Sequence, residues 1–224
     1  MGKIMNDLGI LVRREFKILL ISIKQILAYS SFFLLAFLLF AFSVGPNLKI
    51  LSSIYFPILF MIILFSLILT SDNFIDEDFK NGSLKELQFL GFSTEQIFIA
   101  KSLSMLVSIV LSNFFLIPLT SLFFGINFSI ILNIFLIFLI SSPTLVLLSL
   151  ISALFSLQIK RNKFIQFIIV TPFFIPIIIF ASSMNISDTE NSNNVNFLIL
   201  FGFFLITLPL SIIIGKLLIQ ETNQ

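Results

Sequence analysis

Six long apolar runs dominate the chain, over residues 26–44, 50–70, 103–124, 130–157, 164–184 and 197–214. Each is about the 17–25 residues a helix needs to cross ~30 Å of hydrocarbon. The pattern predicts an all-α membrane protein, a six-transmembrane-helix bundle in one transmembrane domain spanning residues 1–224. Gly45-Pro46-Asn47, Gly125-Ile126-Asn127 and the polar run 185–196 punctuate the spans. Ahead of them, residues 7–24 show helical periodicity, with Leu8, Val12, Phe16, Leu19, Leu20 and Ile23 on one face and Arg13, Arg14, Lys17 and Lys24 on the other. That predicts an N-terminal amphipathic helix lying in the membrane interface, basic side toward the headgroups; an ordinary solvated basic face is the alternative. So many mixed residues before the first apolar run are unlike a cleaved signal peptide, so mature protein is expected from Met1.

The longest break in the apolar pattern, residues 71–101, carries the most local detail. It opens with four acids, Asp72, Asp76, Glu77 and Asp78, which the dipole of a nearby helix start would favour. Asn81-Gly82 marks a turn. Ser83 with Glu86 has capping-box spacing and predicts a short helix from Leu84, ended by Gly91 in a left-handed conformation. Ser93 with Gln96 forms a second such pair at the head of the third span. Leu84, Leu87 and Leu90 give the short helix an apolar edge, while Lys85, Glu86 and Gln88 are polar. So short a helix is unstable alone in water and must dock, either onto its own spans and lipid headgroups or into a socket on a soluble partner.

Composition narrows the chemistry. Apolar residues make up 58% and charged residues 11%, with a mean hydropathy of +1.14; soluble domains carry about 25% charge. There is no Cys and no His, so no thiolate, no His general base and no His or Cys metal ligand. The acid cluster matches no EF-hand loop, and no metal site is expected. No G-x-x-x-x-G-K-[ST] loop is present. No catalytic residues are expected, and no nucleic acid partner. With no Trp, the interfacial aromatic belt reduces to Tyr29 and Tyr55.

With the N-terminus inside, every basic residue except Lys49 falls on the cytoplasmic side. The positive-inside rule therefore predicts both termini in the cytoplasm. No charged residue lies centrally in a span, which argues against a carrier built on buried charge. Asn113 and Gln166 are milder polar insertions, and Ser142, Ser149, Ser152 and Ser156 form a small-residue stripe suited to close helix packing. Pro118, Pro143, Pro172 and Pro176 each remove a backbone hydrogen bond inside a span and predict kinks or local breaks, with Thr171 a candidate donor to a freed carbonyl.

Within F-I-D-E-D-F-K-N-G-S-L-K-E-L, residues Phe74, Asp78, Phe79, Gly82, Ser83, Leu84, Glu86 and Leu87, followed by Ala100-Lys101, resemble the haem exporter protein B (CcmB) family of cytochrome c maturation. Leu11-x-Arg13-Arg14-Glu15, Gly45-Pro46, Pro143-Thr144 and Pro172-x-x-x-Pro176 extend the resemblance over essentially the whole chain. Glu77 and Asn81 depart modestly from the family pattern. The resemblance implies an ABC-2-type permease-like subunit, two copies pairing with a separate ABC ATPase subunit (CcmA-like), alongside CcmC-like and CcmD-like membrane proteins. The short helix would then be a cytoplasmic coupling helix between spans 2 and 3. Its ATPase-facing candidates are Asp78, Phe79, Gly82, Ser83, Leu84, Glu86, Leu87 and Leu90, and the prolines would relay the motion.

The resemblance further implies a bacterial inner-membrane location, and no cofactor bound directly, with haem handled or transported as a ligand. Within the spans, only Met61, Met105, Met184 and the two tyrosines remain as residues able to ligate iron, which favours ATP-driven release of a haem-loaded chaperone (CcmE-like) over direct haem passage. An ABC-2-type permease for a lipid or drug, or a scaffold without an ATPase, are the alternatives.

Overall fold

The computed structural model describes residues 2–21, 24–159, 163–186 and 190–221. Those residues form eight α-helices and no strand. They are α1 Gly2–Ile21, α2 Lys24–Val44, α3 Leu48–Lys80, α4 Ser83–Phe89, α5 Thr94–Phe123, α6 Phe128–Gln158, α7 Lys163–Ile186 and α8 Glu190–Glu221. Six of them, α2, α3 and α5 to α8, are long and apolar enough to span a bilayer. The expected six-span helical bundle is what forms. Lys160 and Arg161, among the basic residues used above to argue orientation, lie outside the described residues, as does the side chain of Met184.

α6 is the hub, packing against α3, α5, α7 and α8, while α2 packs on α3 and α5. Its serine stripe explains the closeness. Ser142, Ser149, Ser152 and Ser156 are all buried; Ser142, Ser149 and Ser152 donate to the carbonyls of Leu139, Val146 and Ser149 on their own helix. Small side chains whose hydroxyls are satisfied internally let neighbouring helices approach without stranding polar atoms.

Pro118, Pro143, Pro172 and Pro176 all sit inside unbroken helices, so none of these spans is split in two. At Pro143 the carbonyl left without its usual donor is Leu139, and Ser142 Oγ donates to it at 3.1 Å. Thr171 does not play that part at Pro172: it donates to Phe167 at 2.6 Å, one residue short of the freed carbonyl.

Tyr29 and Tyr55 are not belt residues. Both are buried in an aromatic chain running Tyr29, Phe33, Phe37, Tyr55 and Phe124. Tyr55 donates to the Ile117 carbonyl at 3.2 Å, and Asn113 Nδ2 donates to the Tyr29 hydroxyl at 2.6 Å. These rings carry a polar tip that needs a partner once buried, and α5 supplies it.

α3 and α5 outrun the predicted spans. At 33 and 30 residues they are about 50 and 45 Å long at 1.5 Å per residue. The predicted connection 71–101 is therefore mostly helix, leaving α4 between two short turns. The ends of α1 and α8 reach the same end of α5: Lys216 on α8 pairs with Glu95 at 2.7 Å. Next to Lys216, Gly215 lets α8 pass over Phe98, where a Cβ would stand only 2.5 Å from the ring. Gly215→Val should therefore cost about 1–3 kcal/mol through overpacking, read as a lower thermal midpoint in detergent. A Phe98→Ala background should remove most of that penalty.

Candidate functional site

The end of the bundle where α3, α4 and α5 meet gathers most of the predicted site residues. α3 stops at Lys80 with Asn81 as C-cap, and Gly82 takes φ +72°, a conformation costly for side chains with a Cβ. Gly82, not Ser83, is the N-cap of α4, and it makes no side-chain capping bond. Its carbonyl accepts from Glu86 N–H at 3.0 Å, which puts Ser83 one position inside the helix and rules out the Ser83–Glu86 capping box. The helix accordingly starts at Ser83 rather than Leu84. The far end matches expectation: Gly91 has φ +90°, its N–H bonds Gln88 O at 2.9 Å, and Phe92 N–H bonds Leu87 O at 3.2 Å. That double bond pattern is a Schellman closure. Ser93 and Gln96 then exchange side-chain and backbone hydrogen bonds at 3.2 and 3.0 Å as a capping box on α5.

The apolar edge of α4 is divided. Leu84 and Leu87 are buried against the bundle, Leu87 at 2% exposure. Leu90, at the C-cap, turns away from them and is 73% exposed, and Phe89 beside it is 92% exposed. Lys85 and Glu86 share the exposed side, while Ser83, Gly82, Asp78 and Phe79 are half-buried. So α4 docks onto its own spans through two leucines and also displays an apolar knob. Phe89 had no place in the predicted edge, because three-residue spacing through Leu90 ignores the turn that ends the helix at Gly91.

At the same end of the bundle, α1, α3 and α5 share a buried ion cluster. Lys101, 1% exposed near the start of α5, binds Asp78 on α3 and lies 3.5 Å from Glu15 on α1. Glu15 is itself 2% exposed and pairs with Arg14 at 2.6 Å. The Lys101 ammonium also sits 5.1 Å from the centre of the Phe74 ring, within cation–π range. Charges that are nearly inaccessible persist when paired with opposite charges and hydrogen-bonded. The cluster welds three segments far apart in sequence at the root of α4.

Two expectations change here. The acids of 72–78 lie in the last turns of α3 rather than near a helix start. Carboxylates there oppose the dipole, and Lys101 on Asp78 and Lys80 on Asp76 offset this. The contact face of α1 is also rotated: among its described side chains Leu11 and Glu15 are the buried ones, with Val12 and Phe16 half-buried. The side chains of Leu19, Leu20 and Ile23 lie outside the described residues. α1 packs against α5, and a carboxylate facing Lys101 is the centre of that contact. Glu15 and Lys101 stood in the sequence as an acid among bases and a base bordering an apolar run; neither signal says that they meet.

Further along, Asp72 accepts from Ser156 on α6 at 3.2 Å, and Gln166 on α7 donates to Ile68 O and to Ser71 Oγ on α3 at 3.1 and 3.0 Å. These bonds carry the polar core of the α3 end across to α6 and α7. Among the described residues, this end of the bundle offers no reacting group poised over a cleft. Its capability is mechanical: an exposed apolar knob on a short helix, bracketed by two left-handed glycines and packed on α3 and α5, which the ion cluster ties to α1.

A protein-family model described as CcmB protein matches residues 6–214. Heme exporter protein B of Haemophilus influenzae is 28% identical over 174 residues, covering 78% of this chain and 79% of the relative. Heme exporter protein B of Pseudomonas aeruginosa is 24% identical over 177 residues, 79% of each chain. That of Bradyrhizobium diazoefficiens is 28% identical over 177 residues, 79% of this chain and 80% of the relative. With the match running from α1 to the last turns of α8, this chain belongs to the CcmB family.

Proposed function

We propose that this chain is the membrane-spanning subunit of an ABC-type complex in cytochrome c maturation, and that it transmits the work of ATP hydrolysis in a separate subunit to haem export or to release of a haem-loaded chaperone. The observation that carries the reading is the α4 knob, Phe89 and Leu90 held out from a family member's bundle end by two glycine-bracketed turns. An apolar pair projecting from a polar helix is the kind of anchor a groove on a soluble partner takes up. An ATPase closing on that groove would push α4, and through Lys101 the push would reach α1, α3 and α5 together.

On this reading the chain has no catalytic site of its own, sits in a bacterial inner membrane with both termini and α4 in the cytoplasm, and works as a pair with an ATPase of the CcmA kind. CcmC-like and CcmD-like membrane proteins complete the assembly, and a CcmE-like chaperone is its indirect client. Neither Cys nor His occurs in the chain, Met105 is buried in the core and Met61 lies on an exposed face. That poverty of iron ligands supports release of the loaded chaperone over haem passage through this bundle. Disrupting the gene should abolish covalent c-type haem staining while b-type haem proteins persist, and a nucleotide-binding subunit should copurify with the tagged protein. Normal c-type staining in the disrupted strain would end the proposal.

A further inference from the structure

On the lipid-facing side, α5, α6 and α8 part to leave a cleft of about 440 Å³. One wall is Ile99, Leu103 and Leu106 of α5, the other Phe204, Leu208 and Ile212 of α8, and α6 around Pro143 forms the floor. Ser102 brings a hydroxyl to the lining, but it donates to the Ile99 carbonyl at 2.9 Å, so the cleft demands no polar partner. The α8 wall from Phe204 to Ile212 covers eight helical rises, about 12 Å, which is most of one leaflet's hydrocarbon depth of about 15 Å.

Both walls continue into a charge at the same end. Glu95 lies four residues before Ile99 on α5, and Lys216 four residues after Ile212 on α8, so each is the next rung of its stripe. The two pair with each other at 2.7 Å across the mouth. Each side chain is close to half exposed, leaving ammonium protons and a carboxylate oxygen free for a third party. The occupant must therefore be apolar for about 12 Å and carry, at one end, an anion for Lys216 and a cation for Glu95. A purely anionic headgroup would meet the Glu95 carboxylate, and a haem would find no Cys, His, Met or Tyr among the lining residues.

We propose that this cleft is a binding site for a phospholipid whose headgroup bears both a phosphate and a primary ammonium, a phosphatidylethanolamine. One acyl chain lies between α5 and α8, the phosphate on Lys216 and the ammonium on Glu95. The site stands independently of the role proposed above, since it uses neither α4 nor the ion cluster. It does sit against the α5 segment that carries Lys101, so the lipid becomes part of the packing at that end.

Because the chain has no Trp, a single introduced one reports on this position alone. Phe204→Trp places an indole in the cleft; Leu205→Trp, the adjacent residue and 56% exposed, reports on bulk lipid at the same depth. The full-length variants, reconstituted in vesicles, are titrated with phosphatidylethanolamine or phosphatidylglycerol bearing brominated acyl chains, which quench Trp on contact. At position 204 the ethanolamine lipid should quench with about a threefold or greater preference, the scale expected of two part-exposed charge contacts. At position 205 the two lipids should quench equally. Adding Glu95→Gln to Phe204→Trp should erase the preference or turn it toward phosphatidylglycerol, and adding Lys216→Gln should weaken binding of both lipids. Leu208→Trp, one turn along the same wall, is the second reporter if Phe204→Trp does not elute as a folded protein. Equal quenching at both positions, a preference untouched by both charge variants, or an indole in the cleft that neither lipid quenches would each overturn the proposal.

Discussion

Lys101→Met should cost the folded protein about 3–5 kcal/mol, the scale seen when one partner of a buried ion pair is removed. Methionine fills nearly the same space, so the loss is electrical rather than steric. Asp78 would lose the ammonium it binds, and Glu15, 2% exposed, would keep only the half-exposed Arg14. Water reaches neither well enough to compensate. The thermal midpoint in detergent should fall sharply and less folded protein should accumulate in membranes. The triple change Glu15→Gln, Lys101→Met, Asp78→Asn should recover most of the loss, because the one charge then left without its carboxylate, Arg14, is part-exposed and stays solvated. A single Lys101→Met variant that melts like the wild type would show that the three groups do not depend on one another.

Phe89→Asp should do the reverse: leave the thermal midpoint unchanged and detach the ATPase. At 92% exposure the ring contributes little to the isolated fold, and surface substitutions of this kind usually shift stability by less than about 0.5 kcal/mol. If Phe89 fills a pocket on the partner, replacing it should cost at least about 2 kcal/mol of binding, roughly 30-fold in affinity. Leu87→Asp is the contrasting change. Leu87 is buried beneath α4, so a carboxylate there damages the bundle first and any loss of partner is secondary. Measuring both the melting midpoint and the yield of copurified ATPase separates the cases. Full ATPase recovery with Phe89→Asp would remove the knob from the interface.

What could be read from the chain, and what could not, divides along a physical line. The six spans were legible because a bilayer of fixed thickness asks for apolar runs of fixed length, and the runs are there. The Gly91 stop and the Ser93–Gln96 cap were legible because each is a local rule satisfied by residues within five positions. The Ser83–Glu86 pairing obeys the same rule and fails, because Gly82 reaches the cap position first with a φ open to it. Apolar periodicity on α1 pointed to Leu8, Val12 and Phe16, yet the contact centres on Leu11 and Glu15. Hydropathy counts a carboxylate as a solvated residue and is blind to a lysine 86 positions away that neutralises it. The length of α3 was missed for a related reason: after Thr70 the residues turn polar, which ends a span but does not end a helix.

That length has a mechanical consequence. From its Asn47 cap to Lys80, α3 is one continuous helix about 50 Å long with Pro57 inside it near the Asn47 end, and Asp78 of the ion cluster and α4 lie at the other tip. A rod pivoting at that tip by about 5° sweeps its opposite tip through about 4 Å, by simple trigonometry on that length. Were a partner to turn that tip through α4, a rotation of a few degrees would become, at the other end of α3, a movement wider than a water molecule.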